Sequence, residues 1–255
     1  MTMLNEDESK SQLRKMSDTA VAWMDRKINL PGFEVAAGSE VADDDVHVHP
    51  YLVSTAVSVG LHAAIDHLHA FYGLLWCSGF LHSNAPSSLL RGALEAASSV
   101  VWLLESDDRA DRVHRALRWY SKDASDGKSA MSGGGPAGVF EQRKVKLQEI
   151  AVAHGLDPRS VRDGFSSTTA VTATRDFVGI EIMDVLLAWR LCSGYAHGRL
   201  WSQLGYADTT ATPIAGTPGM SLVAFTPGYD RLLPLAVAAH QSTSAAITLF
   251  DQRAR

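Results

Sequence analysis

The feature that most limits what this chain can fold into is the stretch from Leu52 to Phe80, an apolar run interrupted by His62, Asp66, His67 and His69. Those four polar residues deny it the uninterrupted span of about twenty apolar residues that a bilayer requires. With few helix breakers between Tyr51 and His82, the segment predicts a long helix through the middle of a bundle. Two further runs match it. One passes through Arg91, Glu95 and Trp102 to about Glu105, capped by Ser87 or Ser88, and is apolar nearly all round; the other extends from about Asp176 to Ala196 and ends near Gly198.

Shorter helical patterns surround these three. Gln12 to Lys27 carries Leu13, Met16, Ala20, Trp23 and Met24 on one stripe. Asp107 and Asp108 open a helix through Tyr120, Phe140 to His154 stops at Gly155, and Asp157-Pro158 offers a cap followed by proline at the first helical position. Tyr229 to Gln252 closes the chain, with Pro234 expected in its first turn. Between these helices, residues 1–10 read as a disordered tail, Phe33 to His49 and the Ser/Thr-rich Ser166 to Thr174 as connections, and 122–138 as a flexible Gly/Ser-rich loop. Residues 201–228 read as an irregular covering segment in which Ser221 to Phe225 is the one plausible strand. The expected fold is a single all-α domain over residues 1–255, a bundle of seven or eight helices with a loop or small hairpin inserted before the last.

Composition narrows the function. A 46% hydrophobic content excludes a disordered chain, and a formal charge of −5 leaves no global positive field to attract nucleic acid, so any such contact needs a local patch. Residues Met1 to Lys15 contain no apolar stretch for export, which points to the cytoplasm with no membrane association. Cys77 and Cys192 sit in apolar runs and are expected to be buried free thiols.

The segments Leu89–Ala96 and Arg190–Gly198, together with Ala64–Leu68 and the Trp102–Arg118 region, resemble a group of helical proteins common in actinobacteria that are themselves similar to HEPN-like domains. The resemblance spans about residues 52 to 200. It implies a helical bundle, often a homodimer, in which some members are metal-independent ribonucleases of toxin and antiviral systems. Their signature is an arginine followed after four to six residues by a histidine. Arg190 and His197 have six residues between them, with Leu191 where the family usually has a polar residue.

The residues alone lead to the same place. Arg190, Ser193 and His197 fall at i, i+3 and i+7 and so form one polar stripe on an apolar helix. An imidazole that moves the proton of a 2′-hydroxyl, beside an arginine that stabilises phosphate charge, suffices for metal-free RNA cleavage. Arg91 and Glu95, at i and i+4, are the expected supporting pair. In the competing architectural reading, Arg190 and His197 are satisfied buried groups, Arg190 pairing with Glu95, and the chain is a non-catalytic interaction or small-ligand-binding module.

A third reading, a di-metal helical-bundle oxidase, takes Asp66 and His69, with His62 one turn earlier, as metal ligands alongside Glu95, and Asp111 and His114 as a second i, i+3 pair. The preferred reading needs no cofactor. The arginines at 109, 112, 115 and 118 are read as a solvated face paired to neighbouring aspartates. Gly127-Lys128-Ser129 is not a phosphate loop, because Lys122 stands where the first glycine is required.

Overall fold

In the computed structural model, which describes residues 4–29, 32–131, 137–226 and 228–255, the apolar runs become helices buried against one another. Their order is α1 (Glu6–Ile28), α2 (Glu40–Val48), α3 (Val53–Cys77), α4 (Ala85–Leu104), α5 (Arg109–Ala130), α6 (Ala137–Ala153), α7 (Pro158–Asp163), α8 (Ser167–Val178), α9 (Val185–Ala196), α10 (Leu200–Tyr206), β1 (Asp208–Pro213), β2 (Ser221–Thr226) and α11 (Tyr229–Arg253). The two strands form an antiparallel hairpin just before the last helix. The chain is thus mostly helical, as the sequence leads one to expect.

Helix α4 is the hub, packing against α3, α11, α8 and α9. It meets α3 where Gly60 has no side chain: a Cβ there would lie 2.5 Å from Val100 Cγ2 and 3.3 Å from the Ala96 carbonyl oxygen. The buried residues divide into two clusters along this pair of helices. One joins Val57, Leu61 and Ile65 to Val100, Leu104, Leu117 and Phe250; the other joins Leu68 and Phe71 to Leu13, Leu90, Leu94, Ala188 and Leu235. Helix α11 is the one described helix long and apolar enough to cross a membrane, yet 67% of that window is buried inside the protein, which makes it the wall shared by both clusters.

Several local expectations are corrected. The first helix begins at Glu6 rather than after a tail, because Asn5 Oδ1 accepts the Glu8 amide at 2.9 Å while Glu8 Oε2 accepts the Asn5 amide at 3.0 Å, a reciprocal capping box. The segment read as a connection at 33–49 contains α2. Its apolar stripe is hidden because the buried face of α2 carries Asp44 between Val41 and Val48. Helix α5 continues through most of the expected 122–138 loop: Ser125 and Ser129 return their hydroxyls to carbonyls four residues back, and Gly127 sits where a Cβ would meet the Phe140 ring at 2.5 Å. Residues 132–136 of that loop lie outside the described residues.

Other corrections follow toward the C-terminus. The Ser/Thr-rich segment is itself α8, capped by Ser166, and the expected 176–196 helix is broken at Gly179, whose φ of +73° ends α8 before Asp184 caps α9. Among the described residues of 201–228, α10 and β1 replace the expected irregular cover, while the small hairpin before the last helix, with β2 covering the expected Ser221 to Phe225, is as expected. Pro234 falls in the second turn of α11, and Cys77 is exposed while Cys192 is buried.

The arginine stripe of α5 is an architectural element and not a solvated face. Arg112 is 2% exposed and Asp44 fully buried; Arg112 Nε donates to Asp44 Oδ2 at 2.7 Å and its NH2 to Oδ1 at 3.1 Å. The remaining nitrogen, NH1, donates to the carbonyls of Ser106 and Asp107, which fixes the turn between α4 and α5. Arg253 completes the group from α11, donating to the Leu104 carbonyl, Glu40 and Asp107. Arg115 is held by Glu105 and the Trp102 carbonyl, and Arg118 by the Gly164 carbonyl.

Because truncation would leave the buried Asp44 carboxylate with only the longer Arg109 Nε contact at 3.4 Å, Arg112→Ala should lower the unfolding free energy by about 3–5 kcal/mol. A urea titration that places the variant within about 1 kcal/mol of wild type would contradict this. A second expectation concerns His240, which lies tilted at 36° against Trp23 with ring centroids 4.5 Å apart and whose imidazole burial pushes down to about 4. A depressed histidine stabilises fully above its unfolded value of about 6.5 and loses that contribution as pH falls toward 4, a swing of about 3 kcal/mol. His240→Phe should therefore flatten the stability profile between those pH values, which urea midpoints at either end will measure.

Candidate functional site

The site is built on the solvent side of α9. Asp184 starts the helix by accepting the Leu187 amide at 2.8 Å. Val185, Ala188 and Cys192 face inward, which leaves Leu187 and Arg190 exposed and Ser193 half-buried. Burial pushes the Cys192 thiol well up, and the nearby Arg91 guanidinium only partly opposes this, so Cys192 is an apolar packing group.

The helix ends at Ala196, and His197 is its C-cap, with its amide donating to the Ser193 carbonyl at 3.1 Å. Gly198 takes the left-handed φ of +60° that lets the chain turn, and the Arg199 amide returns to the Gly194 carbonyl at 2.8 Å. The next helix then lies directly on Gly194, where a Cβ would fall 2.6 Å from Ser202 Cβ. These two glycines fix the direction in which His197 leaves the helix.

Across from it, α4 supplies Arg91 and Glu95. Arg91 NH1 lies 3.2 Å from His197 Nε2, and Arg91 NH2 donates to Glu95 Oε1 at 3.0 Å. The same carboxylate oxygen accepts from Trp189 Nε1 at 2.9 Å. A guanidinium has only donors, so Nε2 is the accepting nitrogen and the neutral His197 ring carries its proton on Nδ1. Trp189, Glu95, Arg91 and His197 thus form one chain of hydrogen bonds, with Arg91 Nε buried and lacking a partner among the described residues.

The structure brings Arg91, Glu95 and His197 together and leaves Arg190 apart from them. Arg190 is exposed and its side chain makes no ion pair or hydrogen bond among the described residues, so the Arg190–Glu95 pair of the architectural reading is not formed. Two residues were missed in the sequence. Trp189 betrays itself only as an indole N–H in an apolar helix, a donor in need of an acceptor. Arg199, exposed and likewise without an ion pair among the described residues, lies just beyond the motif.

The metal candidates do not converge. Asp66 pairs with Lys27, His69 is exposed on the surface of α3, and His62 packs edge-on against Phe33 at 6.1 Å with its imidazole lowered by burial and then by Lys27. Glu95 is already held by Arg91 and Trp189. Asp111 accepts from Ser106, while His114 Nε2 lies 2.6 Å from Ser160 Oγ. Among the described residues no group of three or more His, Cys, Asp or Glu gathers as a metal site.

Comparison of the chain with family models, with curated proteins and with solved structures finds no match.

The hydrogen-bond chain makes a spectroscopic prediction. Long-range proton–nitrogen correlation on the neutral ring should show His197 with its proton on Nδ1, and Arg91→Met should move it toward Nε2. A wild-type ring protonated on Nε2 would contradict the arrangement.

Proposed function

We propose that this chain is a HEPN-like, metal-independent ribonuclease of a toxin or defence system, acting in the cytoplasm as a homodimer. The observation that supports it best is the contact of Arg91 NH1 with His197 Nε2 at 3.2 Å at the end of α9; Arg190, exposed on the same helix, and Arg199, two residues beyond His197, carry no ion pair among the described residues. In a chain of net charge −5 this is the local positive patch that a phosphodiester requires.

In this reading Arg190 and Arg199 receive the phosphate, and Arg91 turns from His197 Nε2 toward a phosphate oxygen. The freed Nε2 takes the proton of the 2′-hydroxyl as that oxygen attacks phosphorus. The bond to the 5′-oxygen breaks, the leaving oxygen takes a proton from the imidazole of the second copy, and the products are a 2′,3′-cyclic phosphate and a 5′-hydroxyl. In the same reading Ser193, half-buried one turn before His197, hydrogen-bonds the substrate, and Glu95 with Trp189 holds Arg91.

A ligand-binding module is less well supported. The partly open cavity between the start of α4, α9, α10, β2 and α11, lined by Ser87, Tyr195, Tyr206, Phe225 and Arg231, measures about 30 Å³, room for roughly one water.

The test is cleavage of single-stranded RNA in excess EDTA. Because Arg190 and His197 are exposed, Arg190→Ala and His197→Ala should leave the melting temperature within a few degrees of wild type while lowering cleavage by about 10²-fold or more. Wild-type protein that leaves RNA intact between about pH 6 and 8 removes the proposal.

A further inference from the structure

The hairpin has one edge closed to further pairing and one open. Its two strands form a complete sheet by themselves among the described residues, paired from Asp208 with Thr226 to Pro213 with Ser221. The base is anchored: Arg231 NH2 donates to Asp208 Oδ1 at 2.7 Å, and Phe225 lines the small cavity beside Tyr206. Beyond it the hairpin stands free, with every residue of β1 exposed and Leu222 67%, Val223 38% and Met220 57% exposed. A two-stranded sheet with both faces in water is at best marginally stable, whereas three or more strands suffice.

The register shows which backbone groups are unused. The Ile214 amide donates to the Met220 carbonyl at 3.0 Å, so alternation along an antiparallel pair puts Thr212–Leu222 and Thr210–Ala224 in the bonded class. Thr209–Phe225, Ala211–Val223 and Pro213–Ser221 then turn their backbone groups outward. On β1 that outer row includes Pro213, which has no N–H, the usual way of blunting an edge. On β2 the row of Ser221, Val223 and Phe225 is intact and contains neither proline nor charge.

Charge selects the occupant. No Asp, Glu, Lys, Arg or His occurs from residue 209 to 229, in a chain whose charged residues make up 20% of the total and sum to −5. Two like-charged copies can approach through this neutral segment without repulsion. We propose that β2 is a self-association edge: two copies pair antiparallel through β2 about a twofold axis at Val223, giving one four-stranded sheet. Val223 faces its own counterpart, and Ser221 faces Phe225 of the other copy. With β1 blunted by Pro213, the assembly closes at two copies. This contact supplies an interface for the homodimer that the ribonuclease reading names, and because none of its residues belongs to the α9 site, sedimentation and RNA cleavage test the two separately.

Sedimentation equilibrium of the full chain tests it. Wild type should have twice the 27.5 kDa chain mass at micromolar concentration. Val223→Pro should be monomeric with an unchanged helical circular-dichroism spectrum, because the Val223 N–H points outward and takes no part in the hairpin's own ladder. Val223→Lys and Val223→Glu should each be monomeric, since like charges meet on the axis, and an equimolar mixture of the two should recover the dimer. A monomeric wild type, a proline or lysine variant that stays dimeric, or a mixture that stays monomeric overturns the proposal.

Discussion

The pairing of Arg112 with Asp44 is the constraint on which the rest of the molecule depends. Removing both charges from water is expensive, and only complete hydrogen bonding makes it tolerable. Arg112 achieves this by using its guanidinium nitrogens on Asp44 and on the carbonyls of Ser106 and Asp107, so α2, α5 and the turn after α4 must arrive together. Arg253 ties the end of α11 to the same turn through the Leu104 carbonyl and Asp107. Four separated pieces of sequence meet in one satisfied polar cluster, and the long apolar helices are thereby fixed in register at one end.

Elsewhere along the helices, register is set by missing side chains. Gly60 allows α3 to approach α4 closely, and Gly194 allows α10 to lie on α9. The second approach matters for chemistry, because the turn through Gly198 that brings α10 back is also what points His197 toward Arg91 on α4. The imidazole is therefore positioned by the close packing of two helices rather than by contacts of its own ring alone.

What the sequence revealed follows from what a single pattern can carry. Apolar periodicity located α3, α4, α9 and α11, because their buried faces are made of apolar residues. It failed for α2, whose buried face includes Asp44, and for the second half of α5, where serines and Gly127 look like loop but are satisfied by back-bonded hydroxyls and by the Phe140 ring. The Asn5–Glu8 capping box is legible as an Asn three residues before a Glu, although the charged composition around it reads as a tail. At the site, spacing correctly joined Arg91 to Glu95, but the link from Trp189 to Glu95 crosses 94 positions and no local pattern encodes it.

The arginines argue that the two ends of the molecule serve different purposes. At the α5 end, Arg109, Arg112, Arg115 and Arg253 all have carboxylate partners. Around His197, Arg190 and Arg199 have none among the described residues, although the chain carries 28 acidic residues to 23 basic ones. Exposed ion pairs are worth about 0–1 kcal/mol, so folding gains little from pairing these two and loses little from leaving them free. Their charge remains available to an external anion, while the stability that holds the site in place comes from the opposite, fully paired end. A surface assembled in that way can exchange its partners without unsettling the helices that carry it.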